Sequence, residues 1–136
     1  MADLTITAAN VVKSDGAETT AGTAGETITP GQSVYRHTDE KLYKAMADTA
    51  AHAACVGIAL NGAYVNQPLT YIKSGRVNIG AGQTPPPGVF YAVTDTAGGI
   101  SNIADRGTDD YITVIGYSVG GNVLQIHIVQ TGQKML

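Results

Sequence analysis

The sequence predicts an all-β fold, a small β-barrel or β-sandwich of short strands carrying an extended N-terminal arm. Three observations lead there. Runs of β-branched and aromatic residues recur at close spacing, Gly- and Pro-rich turns separate them, and only one stretch favours helix. With 136 residues, one domain is expected, large enough to bury a core without metal or disulfide.

The arm comes first. Residues 1–25, MADLTITAANVVKSDGAETTAGTAG, contain no aromatic, and 14 of the 25 are Ala, Thr or Gly. Such a segment has little apolar bulk to offset the entropy of being ordered alone. Within it Leu4 and Ile6 alternate with Thr5 and Thr7, an edge-strand pattern, and Ser14 to Gly25 reads as a flexible strap. The expected organisation is an arm over 1–25, a β-domain over 26–132 and a tail over 133–136.

Along the domain, ETITPGQSVYRH places the Pro30-Gly31 turn between two β-like runs. Asp39-Glu40 marks a polar turn before the strand KLYKAM. ADTAAHAA (47–54) is the helix-friendly stretch, short enough for a helical turn or loop only. CVGIALNGA gives a buried strand stopped at Asn61-Gly62, and QPLTYIKSGRVNIG two strands around Ser74-Gly75. Pro85-Pro86-Pro87 is a rigid break. Then VFYAVT is a strand, DTAGG a turn and ISNIA a short strand. YITVIGYSV and NVLQIHIVQ are the strongest strands, joined through Gly120-Gly121-Asn122 as a hairpin. In the last, Leu124, Ile126 and Ile128 alternate with Gln125 and His127, so one face is buried.

Charge narrows the functions. Charged residues are 14% of the chain and the net charge is −3, against roughly 25% charged in typical domains. Neutral surface of this kind suits contact with protein partners. The eight basic residues are scattered, which argues against direct nucleic-acid binding. No apolar run is long enough for a membrane span, and no secretory leader is evident, so synthesis in a cytoplasm is expected. The single Cys55 sits in the apolar run AACVGIAL and reads as a buried structural thiol.

No residue set announces catalysis or a cofactor. His37, His52 and His127 stand in no nucleophile or metal motif, and His127 falls at an outward strand position. His37-Thr38-Asp39-Glu40 holds three potential ligands in four residues, but a polar hairpin turn is the simpler reading. Gly80-Ala81-Gly82-Gln83 lacks the Lys and Ser/Thr of a phosphate loop. Asp109 and Asp110, adjacent at a strand start, point to opposite faces and cannot pair as acid and base. Seven tyrosines against one Phe suit an interface or a carbohydrate site, and any single one equally the rim of a small core. Strict alternation puts Tyr111 and Tyr117 on the face of Ile115, with Ile112 and Val114 opposite.

Taken in order, MADLTITAANVV, TAGETITPGQSVY, VGIALNGAYVNQPLTYIKSG, VFYAVTDTAGGI, DDYITVIGYSV and VLQIHIV resemble the capsid decoration (cement) proteins of tailed bacteriophages, across nearly the whole chain. The resemblance implies a structural virion protein on the outer capsid surface, bound to the major capsid protein as a homo-oligomer, a trimer foremost. It implies no enzyme activity, cofactor or metal. Its N-terminal extension would reach the capsid protein or a neighbouring subunit. Pro85-Pro86-Pro87 and the bulky Tyr64 loop depart from the usual pattern. On this reading residues 4–12 add as a strand to a capsid sheet edge, with Leu4, Ile6, Val11 and Val12 as anchors, and an oligomer multiplies the weak single contact. The competing expectation is a receptor- or glycan-binding module of the virion surface; a small hydrolase is disfavoured for want of a nucleophile–base pair.

Overall fold

A computed structural model describes residues 11–14, 16–79, 87–103, 110–120 and 122–134. The described chain is all-β, with strands β1 (Val12–Lys13), β2 (Glu18–Thr23), β3 (Ser33–Arg36), β4 (Leu42–Lys44), β5 (Cys55–Ala59), β6 (Pro68–Asn78), β7 (Phe90–Val93), β8 (Ile100–Asn102), β9 (Tyr111–Gly120) and β10 (Val123–Lys134). The stretch 47–53 is a run of turns rather than a helix, as its length dictates.

The organising element is β6. It links the two halves of one curved sheet, ordered β4-β3-β5-β6-β10-β9-β7-β8. At Ile72 it is flanked by Thr19 of β2 and Ile58 of β5; at Val77, by Lys13 of β1 and Leu124 of β10. The expected pair of strands around Ser74-Gly75 is therefore one strand. Gly75 does not end it but kinks it, at φ +93°. A Cβ there would lie 2.2 Å from the Gly16 carbonyl oxygen, so only glycine lets β1 and β2 meet along this strand.

The first half curls on itself. β2, β6, β5, β3 and β4 are successive neighbours. The end of β2 returns to β4 through a parallel bridge between Ala24 and Leu42, reinforced by Gly25 N–H donating to the Leu42 carbonyl at 2.8 Å. Its concave face closes on a small core of Ala24, Ile28, Val34, Leu42, Ala59, Ala63, Leu69 and Tyr71. Its convex face contributes Tyr35, Ile58 and Ile72 to a larger core completed by Val77, Tyr91, Val93, Ile115, Leu124 and Ile126 of the second half. Consecutive residues such as Val34/Tyr35, Ile58/Ala59 and Tyr71/Ile72 thus enter different cores. Period-2 alternation makes this possible, and it explains why these strands read as unbroken apolar runs.

Two boundaries move relative to the sequence expectation. Residues 18–23, expected within a flexible strap, form β2, because Thr and small residues fit a half-buried edge against β6. The domain thus includes at least residues 11–14 and 16–25 of the expected arm. Gln133 and Lys134, expected in a tail, continue β10 opposite β9. In β9 the face assignment of Tyr117 also changes. A register shift leaves both Ile115 and Gly116 on the core side, and Tyr117 turns outward to pair with Phe90 and Gln125. Gly116 permits it: a Cβ there would stand 2.0 Å from the Gln125 carbonyl oxygen.

Candidate functional site

Of the four anchor residues expected in the arm, Leu4 and Ile6 lie outside the described residues. The structure separates the other two. Val11 is only 6% exposed and belongs to the larger core. It cannot serve a partner, which corrects the expectation; the apolar environment inside the chain's own domain outcompetes an external one. Val12, its neighbour on the opposite face, is 56% exposed.

Val12 stands at one end of a backbone edge. Ala24 N–H donates to the Gln67 carbonyl at 2.9 Å, which fixes the phase of the β2–β6 ladder. Gly22 and Thr20 then direct their backbone groups at β6, while Thr19 and Ala21 direct theirs away from it. Among the described residues no strand pairs with Thr19 or Ala21 on that outer side. Pro68, opposite Thr23, falls at a pair where the ladder needs no N–H from it. An edge of this kind is a template for an added strand. Beside it, Val11–Lys13, Thr19, Leu60 and Thr70 line a groove of about 310 Å³. Lys13 and Glu18 are exposed on the same edge strands. This arrangement can hydrogen-bond an extended peptide and receive a side chain.

A second exposed region covers the outer face of β6–β10. Phe90 (50% exposed) meets Tyr117 edge-on at 5.7 Å between ring centroids, and Arg76 Nε donates to Gln125 Oε1 at 3.3 Å in the same lateral row. Val129 is exposed nearby on β10, and His127 projects outward as expected.

The histidines on the curled half belong to an aromatic cluster. Tyr35 packs against His37, Tyr43 and His52 at 6.0, 6.1 and 5.4 Å, and His37 meets Tyr43 edge-on at 5.4 Å. Its carboxylates are engaged. Asp39 accepts from the Tyr43 hydroxyl at 2.7 Å and from Lys41 N–H at 2.9 Å, which closes the polar turn after β3. The first of these holds the Asp39 carboxyl below the usual carboxylate range and raises the Tyr43 phenol. Asp48 meets His52 Nδ1 at 2.7 Å, and Glu26 lies 3.8 Å from Lys44. The Tyr43 ring lies over Gly25, where a Cβ would come within 2.3 Å of it. Among the described residues no three His, Cys, Asp or Glu gather as a metal site.

The remaining candidates are structural in their surroundings or lie elsewhere. Cys55 is fully buried, its S–H donating to the Gly57 carbonyl, and burial pushes the thiol up to about 12. Asp110 is buried, and Asp109 lies outside the described residues, as does the stretch 80–83. No helix among the described residues is long and apolar enough to cross a membrane. Two features escaped the sequence reading: the exposure of Phe90, hidden inside an ordinary strand pattern, and the pocket built by two distant loops under Tyr64, whose own loop stood out in the sequence and which is 68% exposed. Searches against protein-family models, curated proteins and solved structures give no match.

Proposed function

We propose that this chain is a structural virion protein that binds the outer surface of a phage capsid and stabilises the shell as a decoration protein. The observation that carries this reading is the β1–β2 edge, which combines backbone groups that pair with no strand among the described residues, the exposed Val12 and an adjoining groove. The ordered resemblance along nearly the whole chain supports it. So does the low charge, since a neutral surface is cheaper to desolvate against protein than a charged one.

In this reading the protein joins the major capsid protein as a homo-oligomer, a trimer foremost, on the virion exterior after synthesis in the bacterial host. Leu4, Ile6 and Val12 are its arm anchors, while Val11 holds the root of the arm in the domain. The mechanism is mechanical: several weak strand additions, linked through one oligomer, bridge neighbouring capsid subunits and raise the barrier to rupture.

The buried Val11 decides how to test it. A deletion reaching residue 12 would remove core and β1 pairing together, so the informative deletion spans residues 2–10, alongside the point variant Val12→Asp. Both should leave the unfolding midpoint within a few degrees and lower occupancy on purified heads at least tenfold. Undiminished occupancy in both would remove the arm and edge from the mechanism.

A further inference from the structure

The loops at one end of the curled half border an open cavity of about 320 Å³, lined by Thr27–Thr29, Gly62–Tyr64 and Gln67. That volume lies at the small end of the roughly 300–1,000 Å³ found for ligand pockets. Its frame is fixed. Ile28 and Ala63 exchange backbone hydrogen bonds at 2.9 and 3.0 Å, locking the two loops together. Gln67 N–H donates to the Tyr64 carbonyl at 3.0 Å, and Asn66, at φ +68°, donates its N–H to the Ala24 carbonyl at 2.7 Å.

The polar groups on this frame are oriented but not saturated. Tyr64 N–H donates to Gln67 Oε1 at 2.8 Å, so the Gln67 side chain is pinned through its oxygen and its Nε2 keeps both hydrogens to donate. The hydroxyls of Thr27 and Thr29 have no hydrogen-bond partner among the described residues, and each can both donate and accept. Ile28 and Ala63 supply an apolar floor, and the exposed Tyr64 ring an apolar wall with a polar tip. Among the described residues no Asp, Glu, Lys, Arg or His lines the cavity.

We propose that this pocket holds one pyranose ring of a neutral glycan. A pyranose presents an apolar C–H face, which suits the Tyr64 ring, and a rim of hydroxyls that both donate and accept, which suits Thr27, Thr29 and Gln67 Nε2. A charged ligand would lose hydration with no countercharge to meet it. A wholly apolar ligand would strip water from two hydroxyls and an amide without replacing the hydrogen bonds. The site makes the protein a glycan contact on whatever assembly displays it, and it is independent of the shell-binding edge, which is formed by other residues.

The test uses the isolated full chain, so its result does not depend on capsid binding. The methyl glycosides of glucose, galactose, mannose and N-acetylglucosamine are titrated to tens of millimolar against ¹⁵N-labelled protein, because a shallow single-ring site binds weakly. The expected result is saturable shifts, for at least one sugar, centred on the amides of 27–29 and 62–67. Tyr64→Ala, at an exposed position, should weaken binding at least tenfold without moving the unfolding midpoint. Gly62→Leu should do the same by filling the pocket; a Cβ at Gly62 comes no nearer than 3.7 Å to the Ile28 carbonyl oxygen, so the backbone accepts it. Lys73→Ala, exposed on β6, should bind as the parent does. Absence of saturable shifts with all four sugars, or shifts that persist undiminished in Tyr64→Ala, would overturn the proposal.

Discussion

The two halves of the sheet share β6 yet use their faces differently. In the curled half the inner strands are covered on both faces: Ser33, Val34 and Tyr35 of β3 are buried in succession, as are Gly57, Ile58 and Ala59 of β5. In the second half β7 is also buried in succession, at Tyr91, Ala92 and Val93, but β10 is covered on one face only, so Leu124 and Ile126 are buried while His127 and Val129 are exposed on the same strand. A strand buried twice has no side chains left for a partner, and what it can offer lies at its edge and in its connecting loops. A strand buried once offers a whole face. The pocket under Tyr64 lies in connecting loops of the first kind and the Phe90–Tyr117 row on strands of the second, while the edge at Thr19–Ala21 belongs to β2, which stays exposed or half-buried throughout.

If β6 makes the halves one cooperative unit, core damage in either should weigh on both. Leu42→Ala, in the small core, and Ile126→Ala, in the larger one, should each cost about 2–5 kcal/mol. Denaturant unfolding followed by tyrosine fluorescence and by circular dichroism should give coincident transitions in both variants. Two separated transitions would break the comparison by making the halves independent.

A second contrast sets one backbone approach in each half against the other. A Cβ at Gly57 would lie 2.2 Å from the Ile72 carbonyl oxygen, and one at Gly116 2.0 Å from that of Gln125. Gly57→Ala should push β5 away from β6, and Gly116→Ala should push β9 away from β10. Each is expected to cost about 1–3 kcal/mol or more, and hydrogen exchange should accelerate first in the strand pair concerned.

Phe90→Ala removes one ring of the exposed pair, and about 0.5–1.5 kcal/mol is the expected loss in thermal unfolding. A loss as large as that of Ile126→Ala would mean the outer face is part of the core.

The smallest effect is the pH dependence of the Asp39–Tyr43 bond at the tip of the curled half. Because the folded Asp39 pKa is lowered, its contribution is present above the ordinary carboxylate pKa of about 3.9. It is lost as pH falls through the lower folded value. The Tyr43 shift is upward, so its contribution is present below about pH 10 and lost as pH rises beyond. The gap in melting temperature between the parent and Asp39→Asn should therefore close toward both extremes. A gap constant with pH would show that the hydrogen bond contributes nothing.

Fold class and most strands were legible because their signals are local. Alternation in Leu124–Ile128, turn residues at Pro30-Gly31 and Asn61-Gly62, and the β-branched run of β9 all act within a few residues. What escaped depends on long-range partners. Glu18–Thr23 has no apolar signature of its own and becomes a strand because β6 offers it an edge. Ser74-Gly75 looks like a turn until the Gly16-Ala17 connection between β1 and β2 is seen to press on Gly75 from outside. Ile115-Gly116 breaks the period of β9 through a bulge that only pairing with β7 and β10 defines. For the site, exposure of Val12 and burial of Val11 could not be told apart in a chain that simply reads VV. The pocket at Tyr64 joins loops 35 residues apart, and no spacing rule connects them.

The central claim is attachment to a phage shell, and co-sedimentation tests it most directly. Purified protein is mixed with genome-free heads of the phage that, on the proposed reading, would carry it. The expected result is saturable binding at a fixed number of copies per head, together with a higher temperature of head disruption. Heads that sediment without the protein at every concentration, and rupture at an unchanged temperature, would contradict it.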